Sequence, residues 1–332
     1  MHAGRRFKLG EVLFWTRRDI YFFIYLSTIP TALYAIFGFT WLVLPWVAIA
    51  LVGTAAAFLV GFKNTQTYNR LWEARQIYGS IINSSRTFGI LVRDTINTDE
   101  KTIKSIIYRH IAWLTALRYQ LREARTWENT NLKSNIEYSR FFTVPEKETP
   151  LEKELEKYLS TEELNEILSK KNRATQLIAF QSKEFKRLKD EGKISELDFV
   201  ELEQTLSALY DHQGRAERIK NFPYPRQFAT INQMFIRLFI GMLPFGILHE
   251  IGKLSEIFGS WFVWVTIPCS VTVAFVFHVM ERIGEATENP FEGLANDVPI
   301  TAISRTIEID LRDMLNEKDL PAPLTPVNNI LL

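Results

Sequence analysis

The chain has 332 residues, 47% of them apolar, with 39 Lys and Arg against 38 Asp and Glu. A formal net charge of +1 excludes a strongly basic or acidic polymer binder, nucleic acid included. One cysteine, Cys269, excludes an internal disulfide framework, a CxxC redox site and a cysteine-rich zinc site. Mean hydropathy is −0.04, a value that suits a soluble protein, but the average hides where the charges are missing.

Residues Ile20 to Phe62 hold no Asp, Glu, Lys or Arg over 43 positions. As one helix this run would reach about 65 Å, roughly twice a hydrocarbon core of ~30 Å. It predicts two spans joined by a short external turn at Gly38, Thr40 and Pro45. A pair of buried core helices is disfavoured, because soluble helices of this length carry a polar face. A second charge-free run, Ile257 to Met280, has the 24 residues of one tilted span. Leu238 to His249 is a shorter, weaker span, preceded by Arg237 and followed by Glu250, Lys253 and Glu256. Such charges face a partner or water, because they are costly at mid-bilayer.

Arg5, Arg6, Lys8, Arg17 and Arg18 precede the first span, and Lys63, Arg70, Arg75 and Arg86 follow the second. Arg226 and Arg237 precede the third, Arg282 follows the fourth, and the first turn carries no basic residue. The positive-inside rule then places both termini and the middle of the chain in the cytoplasm. The first apolar run is too long, and lacks the cleavage site, for a removable signal.

The middle, residues 63 to 226, reads as wholly helical. Ser160 with Glu163, and Ser195 with Asp198, stand at capping-box spacing before apolar runs. Gly192 ends the run from Ala174. The five histidines form no i,i+4 metal pair, and no Walker A, GxGxxG, GxSxG or HExxH motif occurs, so no enzyme site, cofactor or metal is expected. His278 reads as a hydrogen-bonding residue between helices.

In the second span Gly53, Ala57 and Gly61 share a small-residue face suited to close helix packing. Thr54, Phe58 and Phe62 share an adjacent face about 100° away. That face either packs on lipid or another helix or lines an axis between identical subunits, where the phenyl rings would form a constriction that gates by dewetting.

Gly61-Phe62-Lys63-Asn64, the stretch Tyr68 to Arg75 with Arg70, Trp72, Glu73 and Arg75, and Leu243-Pro244-Phe245-Gly246 resemble the bestrophin family in its prokaryotic branch. So do Glu285 to Pro299, containing Asn289-Pro290-Phe291 and Asp297, and Arg305 to Leu311. The resemblance spans nearly the whole chain, in the family's order. It implies an all-α integral membrane protein with four transmembrane helices per subunit continuing into a cytosolic helical domain, assembled as a ring of five. The expected division is a cytosolic segment 1–19, spans 20–62, a cytosolic helical domain 63–226, spans 227–280, and a tail 281–332 packing on neighbouring subunits. The implied function is passive conduction of monovalent ions, chloride by family default and sodium or potassium as the alternative, in a bacterial inner membrane. The chain's expected partners are itself, lipid and the permeant ions.

The resemblance places the apolar neck on Thr54, Phe58 and Phe62, with Thr54 departing from the family's wholly apolar pattern. It places a second, cytosolic constriction near Gln176, Leu177 and Ile178. Arg70 and Arg75 are expected to pair with Glu73 and other acids. Animal members bind calcium in an acidic run after Asn-Pro-Phe with a Gln upstream; here Ala286 replaces the Gln, and Asp297 is a poor remnant of the run. No calcium activation is expected. Glu292 and Asp297 read instead as interface residues and as the N-terminal signal of a helix from Thr301 to Leu315. Of the other classes, a transporter lacks the expected internal repeats, and a membrane-embedded enzyme lacks any intramembrane carboxylate or histidine cluster.

Overall fold

A computed structural model describes all 332 residues. It is helical apart from turns, short 3-10 segments and isolated bridges near the two ends of the chain, such as His2 to Ile330. In chain order the helices are α1 Leu9–Phe37, α2 Trp46–Thr95, α3 Glu100–Arg122, α4 Lys133–Tyr138, α5 Pro145–Glu148, α6 Leu151–Leu155, α7 Thr161–Leu168, α8 Arg173–Asp190, α9 Glu196–Asn221, α10 Arg226–Phe258, α11 Thr266–Thr287 and α12 Ile300–Met314. Two compact units result. One comprises Arg5–Asn69 and Pro223–Glu288; the other comprises Met1–Gly4, Arg70–Phe222 and Asn289–Leu332.

The first unit contains α1, the start of α2, α10 and α11, and all four are long and apolar enough to cross a membrane. The turn between α1 and α2 forms where glycine is needed: Gly38 has φ +70°, a left-handed conformation that ends α1. The weak third span is part of one 33-residue helix, α10, which continues past Pro244 through Glu250 and Lys253. Glu250, Lys253 and Glu256 sit in its C-terminal turns, where Lys253 pairs with Glu250 at 3.1 Å. Phe23, Ile49, Ala56, Val60, Ile236, Phe239, Leu243 and Ala274 fill the core of this unit. His278 on α11 reaches Asp19 on α1 at 3.0 Å, a polar link between helices.

The second unit buries the rest of α2 against α3, α8, α9 and α12. Both serines cap their helices: Ser160 accepts from the Glu163 amide and Ser195 from the Asp198 amide, the serine half of each capping box. Gly192 takes φ +71° just beyond α8. Several side chains inside this core find polar partners. Trp113 Nε1 donates to Gln213 at 2.9 Å, and Arg109 donates to Gln181, which itself donates to the Ile106 carbonyl. His110 stacks on Phe88 with centroids 4.5 Å apart and meets Ser85 at 2.9 Å; burial pushes its pKa down to about 3, so it sits neutral in the core.

Trp113 is 1% exposed. Trp113→Ala should therefore cost about 3–5 kcal/mol, the range for deleting a buried aromatic, and it also strands Gln213. Thermal unfolding of the detergent-solubilised protein, followed by helicity, measures the loss.

Candidate pore-lining site

The site is built on the first turns of α2. A long apolar helix can present any face to its neighbours, so packing decides which face is left over. Ile49, Ala56, Val60, Lys63 and Thr67 are essentially inaccessible, as is the backbone at Gly53. Phe239 of α10 lies against Gly53, where an added Cβ would meet its ring at 2.5 Å. On the opposite side Val47 is 71% exposed, Leu51 69%, Phe58 73% and Phe62 45%, and Thr54 is exposed with them. These five residues recur at steps of three and four, one straight stripe on a helix. Only 22% of the most apolar 18-residue window of this segment is buried within the subunit.

The small-residue face does not pack as one unit. Gly53 is buried, but Ala57 and Gly61 are exposed, and nothing lies within 4 Å of a Cβ added at Gly61. The subunit instead closes on the face running through Gly53, Ala56 and Val60, one position round from the predicted one. The Thr54 hydroxyl donates to the Ala50 carbonyl at 2.8 Å. Its proton is thus engaged within the helix, and its remaining lone pairs accept only. The Phe62 ring contacts Phe228 of α10, tilted by 42° at 6.4 Å.

Farther along α2 the expected Arg70 and Arg75 pairs with Glu73 do not form. Arg70 donates to the carbonyls of Ile219 and Phe222 at the C-terminal end of α9, where unpaired carbonyls and the helix dipole favour a cation. Glu73 pairs with Arg218, and Arg75 lies 6.0 Å over the half-exposed Trp72 ring. Of the three positions proposed for a cytosolic constriction, Leu177 is fully buried in the core of its own unit, so its side chain cannot line a passage. Gln176 and Ile178 are half-buried.

The C-terminal motif forms a buried loop in the second unit. Phe291 packs on Tyr78 at 5.8 Å, and Val298 donates to the Pro290 carbonyl. Asn289, beside Pro290, is buried with them. Asp297 does not cap α12, which begins at Ile300 after Pro299. Its Oδ2 accepts the Gly293 amide at 2.7 Å and the Leu294 amide at 3.0 Å, closing a turn in which Gly293 has φ +90°. The Arg122 guanidinium stands 3.6 Å from Asp297 and 3.8 Å from Glu146. Glu292 is buried inside its own unit and accepts the Asn129 amide at 3.1 Å. Burial first, then the carboxylates of Asp297 and Glu128, push its pKa up to about 9. A divalent cation does not fit here: the Asp297 carboxylate is taken up by two amides beside an arginine, and Glu292 is favoured in its neutral form.

An all-α subunit with four membrane-crossing helices, one of which carries an unpacked aromatic stripe, defines a polytopic protein whose membrane helices need further partners. The chain belongs to the bestrophin family: the profile described as Bacterial/Fungal Bestrophin protein matches residues 6–313. Relatives include the voltage-dependent anion channel-forming protein YneE of Salmonella typhi, 27% identical over 277 residues that cover 83% of this chain and 79% of that protein. The protein of the same description from Ralstonia nicotianae, RSc3414, is 25% identical over 82% of this chain and 78% of its own length. The crystal structure of a bacterial bestrophin homologue from Klebsiella pneumoniae superposes with a TM-score of 0.76 at 23% identity, covering 93% of this chain and 100% of the other.

Proposed function

We propose that this protein is a passive anion channel, built as a ring of subunits in which α2 of each copy faces a central path. The carrying observation is the stripe Val47, Leu51, Thr54, Phe58 and Phe62, apolar or nearly so and left uncovered by its own subunit. The anion-channel description of the relatives supports the choice of ion. Phe58 and Phe62 would form the narrow neck with Thr54 at its outer end. Phenyl edges carry partial positive charge, so rings presented edge-on favour an anion over a cation. Five copies, a bacterial inner membrane and cytoplasmic termini complete the reading, the last resting on the basic residues that flank the spans. A second narrowing belongs to the half-buried Gln176 and Ile178, without Leu177.

Purified protein in a planar bilayer under asymmetric potassium chloride tests the proposal. Unitary currents should reverse close to the chloride equilibrium potential. Reversal at the potassium potential would reject anion selectivity, and saturable flux with no unitary events would reject the channel. Calcium chelation in the same bilayer should leave open probability unchanged, because Asp297 is engaged by Gly293, Leu294 and Arg122.

A further inference from the structure

Directly below Phe62 the packing of the first unit changes character. Lys63 is 2% exposed and pairs at 2.7 Å with Glu281 of α11, itself 4% exposed. The second oxygen of Glu281 accepts from Asn232 of α10. One residue on, Asn64 Nδ2 donates to the Met280 carbonyl at 3.0 Å. The Asn64 side chain occupies the space that a Cβ on Gly284 would take. One turn lower, Thr67 meets Thr287 hydroxyl to hydroxyl at 3.0 Å. Three residues of α2, Lys63, Asn64 and Thr67, thus carry a polar seam that engages α11 over two turns and α10 through Asn232.

Above the seam α2 offers apolar side chains on all sides, and apolar surfaces discriminate poorly between one rotation or height of a membrane helix and another. The seam discriminates strongly. A slide of one turn would carry Lys63 about 5.4 Å along the axis, away from Glu281, and break the ion pair between two buried charges. Buried ion pairs add little to stability compared with apolar packing, and their best-attested use is to fix register.

We infer that Lys63, Glu281 and Asn232, with Asn64 against Gly284 and Thr67 against Thr287, are positioning residues that set the rotation and height of α2 and so the width of the neck. The inference rests on the reading that Phe58 and Phe62 line the conduction path, and the experiment separates the two. In a Cys269→Ser background, Phe62→Cys is exposed to a membrane-impermeant methanethiosulfonate reagent while current is recorded. Modification that blocks current supports the neck; a current indifferent to the reagent removes the neck and the inference with it.

The seam is then altered in that same background. Replacing Lys63 and Glu281 together by methionine removes both charges at similar volume, so folding and assembly are retained and can be verified by gel filtration and thermal unfolding. With an accessible Phe62→Cys, this pair should change the modification rate by about threefold or more, the scale on which remote residues bias a two-state element, and should shift unitary conductance. Exchanging the charges, Lys63→Glu with Glu281→Lys, should return both quantities toward the parent. If the methionine pair assembles normally and leaves rate and conductance at parent values, the seam is packing only and the inference fails.

Discussion

Phe58→Ala combined with Phe62→Ala should raise unitary conductance or open probability by about an order of magnitude, the effect of lowering a barrier by roughly 1.4 kcal/mol. The reason is geometric. Two benzyl groups per subunit stand on an uncovered face, and in the proposed ring they would narrow the path and exclude water from it. An apolar constriction conducts only while it is wetted, and alanine widens it at both levels. Neither ring belongs to the buried core of its own subunit, so the double variant should fold and assemble. The contact of Phe62 with Phe228 is the main intrasubunit loss, worth about 0.5–1.5 kcal/mol for an aromatic pair. Thr54→Val should change conductance far less, because the hydroxyl proton already serves the Ala50 carbonyl. Single-channel recording of the variants side by side decides the matter: unchanged conductance and open probability in the double alanine variant would mean that these rings do not narrow the path.

What the sequence disclosed was mostly what is local. Charge voids mark membrane helices because a bilayer penalises every charge along a span, and the caps at Ser160 and Ser195 are settled within four residues. Tertiary choices were less legible. Spacing alone finds two candidate faces on α2 about 100° apart, whereas the face that packs, through Gly53, Ala56 and Val60, is set by neighbours such as the ring of Phe239. Lys63 reads as the charge that ends a span, yet it is buried because a carboxylate 218 residues away meets it. Arg70 sits three residues from Glu73, a natural helical pair, but the carbonyls at the end of α9 offer it a stronger field. Asp297 stands where a helix start would use it, and the tight turn at Gly293 claims its oxygen first. The unpacked stripe was legible as a pattern. Its exposure, which gives the pattern meaning, was not.

Glu292→Gln should stabilise the protein at alkaline pH and flatten the dependence of its melting temperature on pH. Glu292 titrates at about 9 when folded, against 4.5 as the ordinary value. Below 4.5 the acid is protonated in both the folded and the unfolded chain, and its stabilising contribution is complete. As pH rises from 4.5 towards 9, the unfolded chain gives up this proton while the folded chain keeps it, so stability falls throughout the window and levels off above it. A glutamine is neutral at every pH and keeps an oxygen for the Asn129 amide, which now donates to the Glu292 carboxyl. At about pH 8 the gain should be on the order of 2–4 kcal/mol, several degrees in melting temperature. Glu292→Ala serves as the contrast, because it removes the charge but strands the Asn129 amide and opens a cavity. Melting curves in detergent across the window from about pH 5 to about pH 9 test the linkage. Parallel slopes for the wild-type chain and the glutamine variant would show that Glu292 carries the same charge folded and unfolded, and that the buried loop after Asn289-Pro290-Phe291 tolerates a carboxylate after all.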